Sequence, residues 1–195
     1  LCRCLHKPTP ELLTECDYVF SYLKRRASSG LTFSREQARL AGFADASWET
    51  KQSTSGWLVL WGHAALSWGS RKQKCIALST CEAEIIALSE AAKDVVYLRK
   101  LVMGLGASET TPSQLHTDSQ SARAVSYTPE PPDRTRHVQR RHSSVPDMVT
   151  ALDDTVHCVR TEANAPDCVN KPISGTKVNQ RQRDRLPNAK HPRPP

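Results

Sequence analysis

The sequence has no C-x-x-C pair, no signal-peptide pattern at its N-terminus, and no apolar run near the ~20 residues that a membrane helix requires. Its seven cysteines are an odd number. Together these absences favour reduced thiols in an intracellular compartment over a disulfide framework or a membrane span. The chain also begins at Leu1 rather than Met, from which we expect a fragment of a longer protein.

The composition suits one ordinary core with extensions. The 195 residues are 38% hydrophobic, which is enough for one core but crowded for two. The formal net charge is +7, and most of it falls after Thr176, where six basic side chains accompany one Asp. This basic end suits either contact with a polyanion or a solvated tail, and composition leaves both open. From Gly175 onward no hydrophobic periodicity remains, which predicts disorder.

The longest periodic stretch runs from Ser79 to Gly106 and predicts a single helix. Ser79 followed three residues later by Glu82 forms a capping box, in which each side chain bonds the other's backbone N–H. Steps of four and three residues from Glu84 give an apolar stripe: Leu88, Ala91, Val95, Leu98, Val102 and Leu105. A carboxylate on a buried face is costly unless it is paired, protonated or bound to a metal, so Glu84 is a candidate functional residue.

Shorter patterns place this helix in an α/β domain with one sheet. Helices are predicted at 9–26 and 119–127, and strands at 40–48, 57–61, 64–68, 114–117 and 155–159. The segment 51–56 has turn composition. Weaker helical patterns follow at 134–148 and 164–170. The order of elements predicts a meander of three antiparallel strands, then parallel strands joined through helices.

Four acidic residues fall at unusual places in this pattern, inside a strand, on the helix stripe, at a strand end and at the start of the last helix: Asp45, Glu84, Asp118 and Asp167. Carboxylates gathered in one place repel each other unless cations neutralise them. Two Mg²⁺ ions roughly 3.5–4 Å apart can stabilise both the attacking and leaving oxygens in phosphodiester cleavage. Each residue also has an alternative: Asp45 as a solvent-facing residue, and Asp118 and Asp167 as helix caps.

Seven ordered blocks resemble the ribonuclease H domain of copia-type LTR retrotransposon Pol polyproteins, which ends the reverse transcriptase: GFADASW, STSGW, SWGSRKQ, ALSTCEAEIIALSEAAKDVVYLRKL, LHTDSQSA, RTRHV and APDCVNKP. The resemblance implies a helical connection from the polymerase side at 1–39, a ribonuclease H-like domain at 40–172 and a disordered, basic, proline-rich tail at 173–195. The implied fold is α/β, with a five-stranded mixed sheet of three antiparallel strands and then parallel strands, flanked by helices.

The resemblance also implies an activity, the Mg²⁺-dependent endonucleolytic hydrolysis of the RNA strand of RNA/DNA hybrids. By position, the family's four catalytic and metal-binding carboxylates fall on Asp45, Glu84, Asp118 and Asp167. They would hold two Mg²⁺ ions, which Mn²⁺ can replace. The implied partners are an RNA/DNA hybrid and the reverse transcriptase portion of the same polyprotein, with no membrane. The implied location is intracellular, in a cytoplasmic virus-like particle with access to the nucleus.

Four further residues are candidates for contact with the substrate. Arg71, Lys72 and Lys74 could bind backbone phosphates, and an exposed basic turn explains them about equally well. His137 could position the substrate or help product release, with an ordinary surface histidine as the alternative.

The segment after His137 departs from the family pattern. Gln139 stands where the family has Asp, and Ser143 and Ser144 replace a His and a large apolar residue. Pro146 falls inside the predicted helix, where an interior proline costs about 3 kcal/mol. Two functional classes follow: a ribonuclease H, or a decayed or repurposed copy that keeps the fold and binds nucleic acid without catalysis. An unrelated nuclease or integrase with the same core is disfavoured by the order of the blocks.

Overall fold

The computed structural model describes residues 6–28, 30–33, 39–49, 51–107, 112–127 and 155–161, together with Asn164 and Pro166. These residues fall into two compact units, which divide after Thr32. The predictions that concern His137, Asp167, the segment 134–148 and the tail lie outside the described residues. The candidate site belongs entirely to the second unit.

The first unit contains helix α1 (Pro10–Arg25), in agreement with the predicted helix to within one residue at each end. Pro10 lies in the first turn, where its missing N–H costs no hydrogen bond. Lys24 and Arg25 lie in the last turn, where positive charge is favourable to the helix dipole. Local sequence signals therefore account for both ends of α1.

The second unit is built on one sheet of five strands: β1 (Leu40–Ser47), β2 (Thr54–Trp61), β3 (Ala64–Lys72), β4 (Gln114–Thr117) and β5 (Thr155–Cys158). The spatial order is β3-β2-β1-β4-β5. The first three strands are antiparallel, β4 runs parallel to β1, and β5 runs parallel to β4. The predicted five-stranded mixed sheet is confirmed.

Strands β2 and β3 are longer than the sequence predicts. β2 begins at Thr54 rather than Trp57, and β3 continues to Lys72 rather than ending at Trp68. Thr54 and Lys72 are paired across the two strands. The prediction of a turn over 51–56 was wrong in its last three residues, because cross-strand pairing and burial outweigh the local turn preference of Thr, Ser and Gly.

Helix α2 (Thr80–Gly104) begins with the predicted capping motif in a shifted form. The Ser79 hydroxyl accepts a hydrogen bond from the Glu82 N–H at 3.1 Å, as expected of an N-cap. The Glu82 carboxylate accepts from the N–H of Leu78 at 2.7 Å, whereas the predicted box assigns it the N–H of Ser79. At the other end Gly106 has a φ of +84°, a conformation that favours glycine after a helix.

The predicted stripe on α2 forms the centre of the core. Leu88, Ala91 and Val95 are fully buried, and Leu98 nearly so, whereas Leu105 is exposed beyond the end of the helix. The four buried residues pack against apolar residues of the sheet, among them Ala44, Val59, Leu115 and Val156. Burying a Leu or Val side chain contributes about 1.5–3 kcal/mol. This packing fixes α2 on the sheet and so places Glu84, one helical turn before Leu88.

A second helix of this unit, α3 (Gln120–Ser126), follows β4 directly. Its N-cap is Ser119, whose hydroxyl accepts a hydrogen bond from the Ala122 N–H at 3.1 Å. Tyr127 follows the last turn of α3. Its hydroxyl accepts a hydrogen bond from the Val156 N–H in β5 at 2.7 Å and donates one to the Val156 carbonyl at 3.2 Å. These bonds hold α3 against the edge strand.

Candidate metal centre

Three of the four predicted carboxylates come together in the second unit. Asp45 lies in β1, Glu84 in the second turn of α2, and Asp118 directly after β4. One ligand oxygen from each of the three lies within 4.8 Å of the others. The fourth predicted carboxylate, Asp167, lies outside the described residues.

The three carboxylates meet where the pairing of β1 with β4 ends. The last aligned pair in this parallel ladder is Phe43 with His116. Asp45 and Asp118 each lie two residues beyond that pair, at the carboxyl ends of the two strands. In α/β sheets, ligands commonly bind at such a point, where neighbouring strands separate.

The Glu84 carboxylate is held against β1 by the backbone. Its Oε1 accepts a hydrogen bond from the N–H of Ala46 at 3.2 Å. Ala46 lies beyond the end of the β1–β4 ladder, so a side chain takes the place that a strand partner would otherwise occupy. Glu84 is therefore oriented toward the residue that follows Asp45, whereas the nearby Glu82 serves the helix cap.

The structural alternatives for Asp45 and Asp118 do not hold. Asp45 is only 2% exposed, so it is not a solvent-facing strand residue. Asp118 does not cap α3, because Ser119 is the N-cap. The Asp118 carbonyl instead accepts a weak hydrogen bond from the Cys158 thiol at 3.6 Å. Neither carboxylate therefore has the alternative role that the sequence suggested for it.

The donor set fits a hard divalent cation. All three residues offer carboxylate oxygens, which Mg²⁺ and Mn²⁺ prefer, and among the described residues the cluster includes no nitrogen or sulfur ligand that would favour zinc. A buried carboxylate beside two others is also stabilised by a cation through simple charge neutralisation. The chemistry and the burial of the cluster are therefore compatible with the binding of a divalent cation.

A row of aromatic rings lies beside the cluster, and sequence reasoning missed it. The ring of His116 stacks between Phe43 and His157, with centroid distances of 4.5 Å and 5.6 Å. Burial, with a smaller contribution from the charge of His157, lowers the pKa of His116 to about 4. His116 is consequently neutral at pH 7. The available signal was its position two residues before Asp118, because side chains two residues apart in an extended chain point to the same side.

The side chain of Gln73, directly after β3, links β2 to the first turns of α2 by hydrogen bonds. Its side-chain Nε2 donates to the Ser55 hydroxyl and to the Ala83 carbonyl, each at 2.9 Å. Ser55 belongs to β2, and Ala83 directly precedes Glu84 in α2. The first turns of α2 are therefore fixed to the sheet by a buried amide as well as by apolar packing.

The predicted phosphate contacts line a pocket of about 470 Å³ between β3 and α2. The Lys72 ammonium bonds the Glu49 carboxylate and the Gln52 carbonyl, both at 2.9 Å. The Arg71 guanidinium lies over the Trp57 ring, 5.6 Å from its centroid. Lys74 is exposed. Positive charge is thus concentrated at the pocket between β3 and α2, and the charge of Lys72 is already paired with Glu49.

Comparison with known proteins finds relatives that align with 47–90% of the chain. No protein-family model matches it. The retrovirus-related Pol polyprotein from transposon TNT 1-94 of Nicotiana tabacum is 30% identical over 179 residues, which are 90% of this chain and 13% of that protein. The secreted RxLR effector protein 161 of Plasmopara viticola is 40% identical over 96 residues, which are 47% of this chain and 68% of that protein.

Among solved structures, RNase H1 from the halophilic archaeon Halobacterium salinarum matches with a TM-score of 0.52 at 15% identity, over 68% of this chain and 93% of that one. The sheet order and this match define a ribonuclease H-like fold. Over 90% of its length the chain is homologous to a segment of retrovirus-related Pol polyproteins from plant transposons, and its fold is that of ribonuclease H domains. It spans 13% of the length of the tobacco polyprotein. No helix in the described part of the chain is both long and apolar enough to cross a membrane.

Proposed function

We propose that this chain is the ribonuclease H part of a copia-type LTR retrotransposon Pol polyprotein. It hydrolyses the RNA strand of RNA/DNA hybrids endonucleolytically with Mg²⁺, and leaves a 3′-hydroxyl and a 5′-phosphate. The observation that supports this most directly is the convergence of Asp45, Glu84 and Asp118, with one ligand oxygen from each within 4.8 Å of the others. A ribonuclease H-like fold alone would not support catalysis, because one fold can host many functions.

Asp45, Glu84 and Asp118 would hold two Mg²⁺ ions, with Mn²⁺ as a substitute, and Asp167 would complete the set. When bound, these ions stabilise the attacking and leaving oxygens of an in-line displacement at phosphorus. The protein's own contribution is placement. The bond from the Ala46 N–H fixes the Glu84 carboxylate, and the burial of Asp45 keeps water from competing for its oxygens.

Substrate contacts outside the metal centre would come from Arg71, Lys72 and Lys74, which bind backbone phosphates, and from His137. Recognition would rest on phosphates and on the RNA 2′-hydroxyl, with little reading of sequence. Since Lys72 already bonds Glu49, its contribution to phosphate binding is expected to be smaller than that of Arg71 or Lys74.

The remaining assignments follow from the same proposal. Residues 1–39 connect to the reverse transcriptase portion, residues 40–172 form the ribonuclease H-like domain, and residues 173–195 are a basic tail. The partners are an RNA/DNA hybrid and the polymerase portion of the same polyprotein. The location is the intracellular virus-like particle, with access to the nucleus.

Cleavage of a labelled hybrid tests the proposal. The full chain is incubated with an RNA/DNA duplex that carries a fluorophore on the RNA, with Mg²⁺, with Mn²⁺, or with a chelator. We expect cleavage of the RNA strand only, in the presence of either metal, and fragments that carry 5′-phosphates. Asp118→Asn and Glu84→Gln should each lower the rate by at least about 100-fold, because removing one ligand disrupts the set.

The control is Glu90→Gln, which removes the same charge from the same helix at a residue whose carboxylate pairs with the Lys93 ammonium at 2.9 Å. It should cleave at close to the wild-type rate. Binding of the hybrid without cleavage would instead favour the alternative function, a copy that keeps the fold and binds nucleic acid. Cleavage that is equal in Asp118→Asn and wild type would show that the metal centre is wrongly assigned.

A further inference from the structure

Beyond the end of the pairing between β1 and β4, two side chains form hydrogen bonds with backbone groups of β1. Glu84 accepts from the Ala46 N–H at 3.2 Å, and the Asn164 side-chain Nδ2 donates to the Ala44 carbonyl at 2.8 Å. Backbone groups of residues two apart in a strand lie on the same edge, so both bonds occupy the edge that β4 would otherwise cover. Asp45 lies between these two anchored residues.

Asn164 reaches β1 from the chain that follows β5. Its backbone N–H closes a turn on the carbonyls of Arg160 and Thr161, each at 3.1 Å. In the sheet, β4 lies between β1 and β5. The Asn164 side chain therefore joins β1 past the carboxyl end of β4, the end at which Asp118 follows. A contact between residues 120 positions apart in sequence thus anchors the residue that precedes Asp45.

The orientation of the Asn164 amide is fixed by its partner. The Ala44 carbonyl is an acceptor, so the amide must present its nitrogen there, and the oxygen points elsewhere. That oxygen is buried and has no hydrogen-bond partner among the described residues, in a side chain that is 0% exposed. A buried, unpaired amide oxygen lowers stability. A group that carries such a cost beside a functional cluster is a candidate for a functional role.

We propose that Asn164 is a positioning residue of the metal centre. It holds the backbone at Ala44 so that the carboxylate of Asp45 meets those of Glu84 and Asp118. Asn164 acts through Asp45 and is not itself a ligand. The inference rests on the proposed function, because Asn164 can position metal ligands only if the three carboxylates bind metal. Residues that orient the ligands of a metal commonly change its affinity by about 10- to 100-fold when they are replaced.

Mn²⁺ binding by the full chain tests this role without any need for catalysis. The free Mn²⁺ signal in electron paramagnetic resonance is titrated for wild type, Asn164→Leu and Asn164→Ser, below the melting temperature of each. Asn164→Leu keeps the branching of the side chain and removes the donor but is larger, whereas Asn164→Ser is smaller and cannot overpack the site. The matched control is Ser126→Ala, which removes another buried bond from a side chain to a backbone carbonyl, at 2.8 Å within α3.

We expect all three variants to melt at lower temperature, but only the Asn164 variants to bind Mn²⁺ at least about 10-fold more weakly. In metal-free protein, the amide proton of Ala46 should also exchange faster in the Asn164 variants than in Ser126→Ala, because the edge of β1 is loosened. Folded Asn164 variants with wild-type Mn²⁺ affinity would overturn the inference while the proposed function stands. A wild-type protein that binds no Mn²⁺ would overturn both.

Discussion

The carboxylate of Glu84 and the backbone N–H of Ala46 are joined by a hydrogen bond of 3.2 Å. Ala46 directly follows Asp45, so this bond connects one candidate ligand on α2 to the strand that carries another. The Glu84 side chain therefore has two separable roles, a structural one as an acceptor and a proposed one as a metal ligand. Substitutions that separate these roles are informative.

Replacing Glu84 with Gln is expected to preserve the fold and weaken metal binding. The Gln amide oxygen can still accept the Ala46 N–H, but the variant lacks the negative charge that attracts a divalent cation. We expect the melting temperature of the metal-free protein to change by less than about 3 °C. The Kd for Mn²⁺ should rise at least about 10-fold, whereas Glu90→Gln leaves it unchanged. Equal Mn²⁺ affinity in the two variants would contradict the assignment.

Metal binding should also stabilise the folded chain. A ligand that binds only the folded state stabilises it by about 2.7 kcal/mol when its concentration is 100 times Kd. The melting temperature, followed by circular dichroism, should therefore rise with Mg²⁺ and fall again when a chelator is added. Asp118→Asn should lose most of this gain. A gain of the same size in the variant would mean that Mg²⁺ binds elsewhere.

Asp94 fixes α2 to the central strands through two donors. Its Oδ2 accepts from the Trp57 indole N–H at 2.8 Å and from the Ser67 hydroxyl at 2.6 Å. Trp57→Phe and Asp94→Ala should each lower the free energy of unfolding by about 1–3 kcal/mol in urea titrations. The double variant should lose less than the sum, by at least about 0.5 kcal/mol. Strict additivity would show that the bond contributes nothing.

Gly69 is required by the position of the Trp57 ring. The two residues are directly paired across β2 and β3, and a Cβ on Gly69 would overlap the six-membered ring of Trp57. Gly69→Ala should therefore destabilise the protein by about 1–3 kcal/mol or more. At Gly104, the last residue of α2, the same change meets open space and should stabilise by about 0.5 kcal/mol. Chemical denaturation of both variants tests the contrast.

The partly buried His116 predicts a loss of stability in mild acid. Its pKa is lowered to about 4 in the folded protein, mainly by burial. An unfolded histidine titrates near 6.5, so between about pH 6.5 and pH 4 the unfolded state binds the additional proton. Stability should therefore fall as pH decreases through this window, by up to about 1 kcal/mol per pH unit.

His116→Phe keeps a ring in the stack and removes the titrating group. Its unfolding free energy, measured from pH 7 to pH 4.5, should show a smaller decrease than that of wild type. The control is His63→Gln, at an exposed position in the turn between β2 and β3, which should keep the wild-type dependence. A variant at His116 with the same acid dependence as wild type would show that another group is responsible.

Local sequence signals determined the long helix and the candidates on it. The capping motif at Ser79 placed the start of α2, and the apolar stripe through Leu98 placed its buried face, because both signals act within a few turns of one helix. The same periodicity separated Glu84 from Glu82. The order of elements predicted three antiparallel strands followed by parallel ones, and the resemblance of the blocks selected Asp45 and Asp118.

Only the tertiary structure decided how those residues are held. The extension of β2 to Thr54 depends on a partner strand, which outweighs local turn preference. The neutral state of His116 depends on burial between rings of two other strands. The bond from Asn164 to Ala44 joins positions 120 residues apart. Hydrophobic periodicity records which face of an element is buried, whereas hydrogen bonds between distant side chains and backbone exist only after the chain has folded.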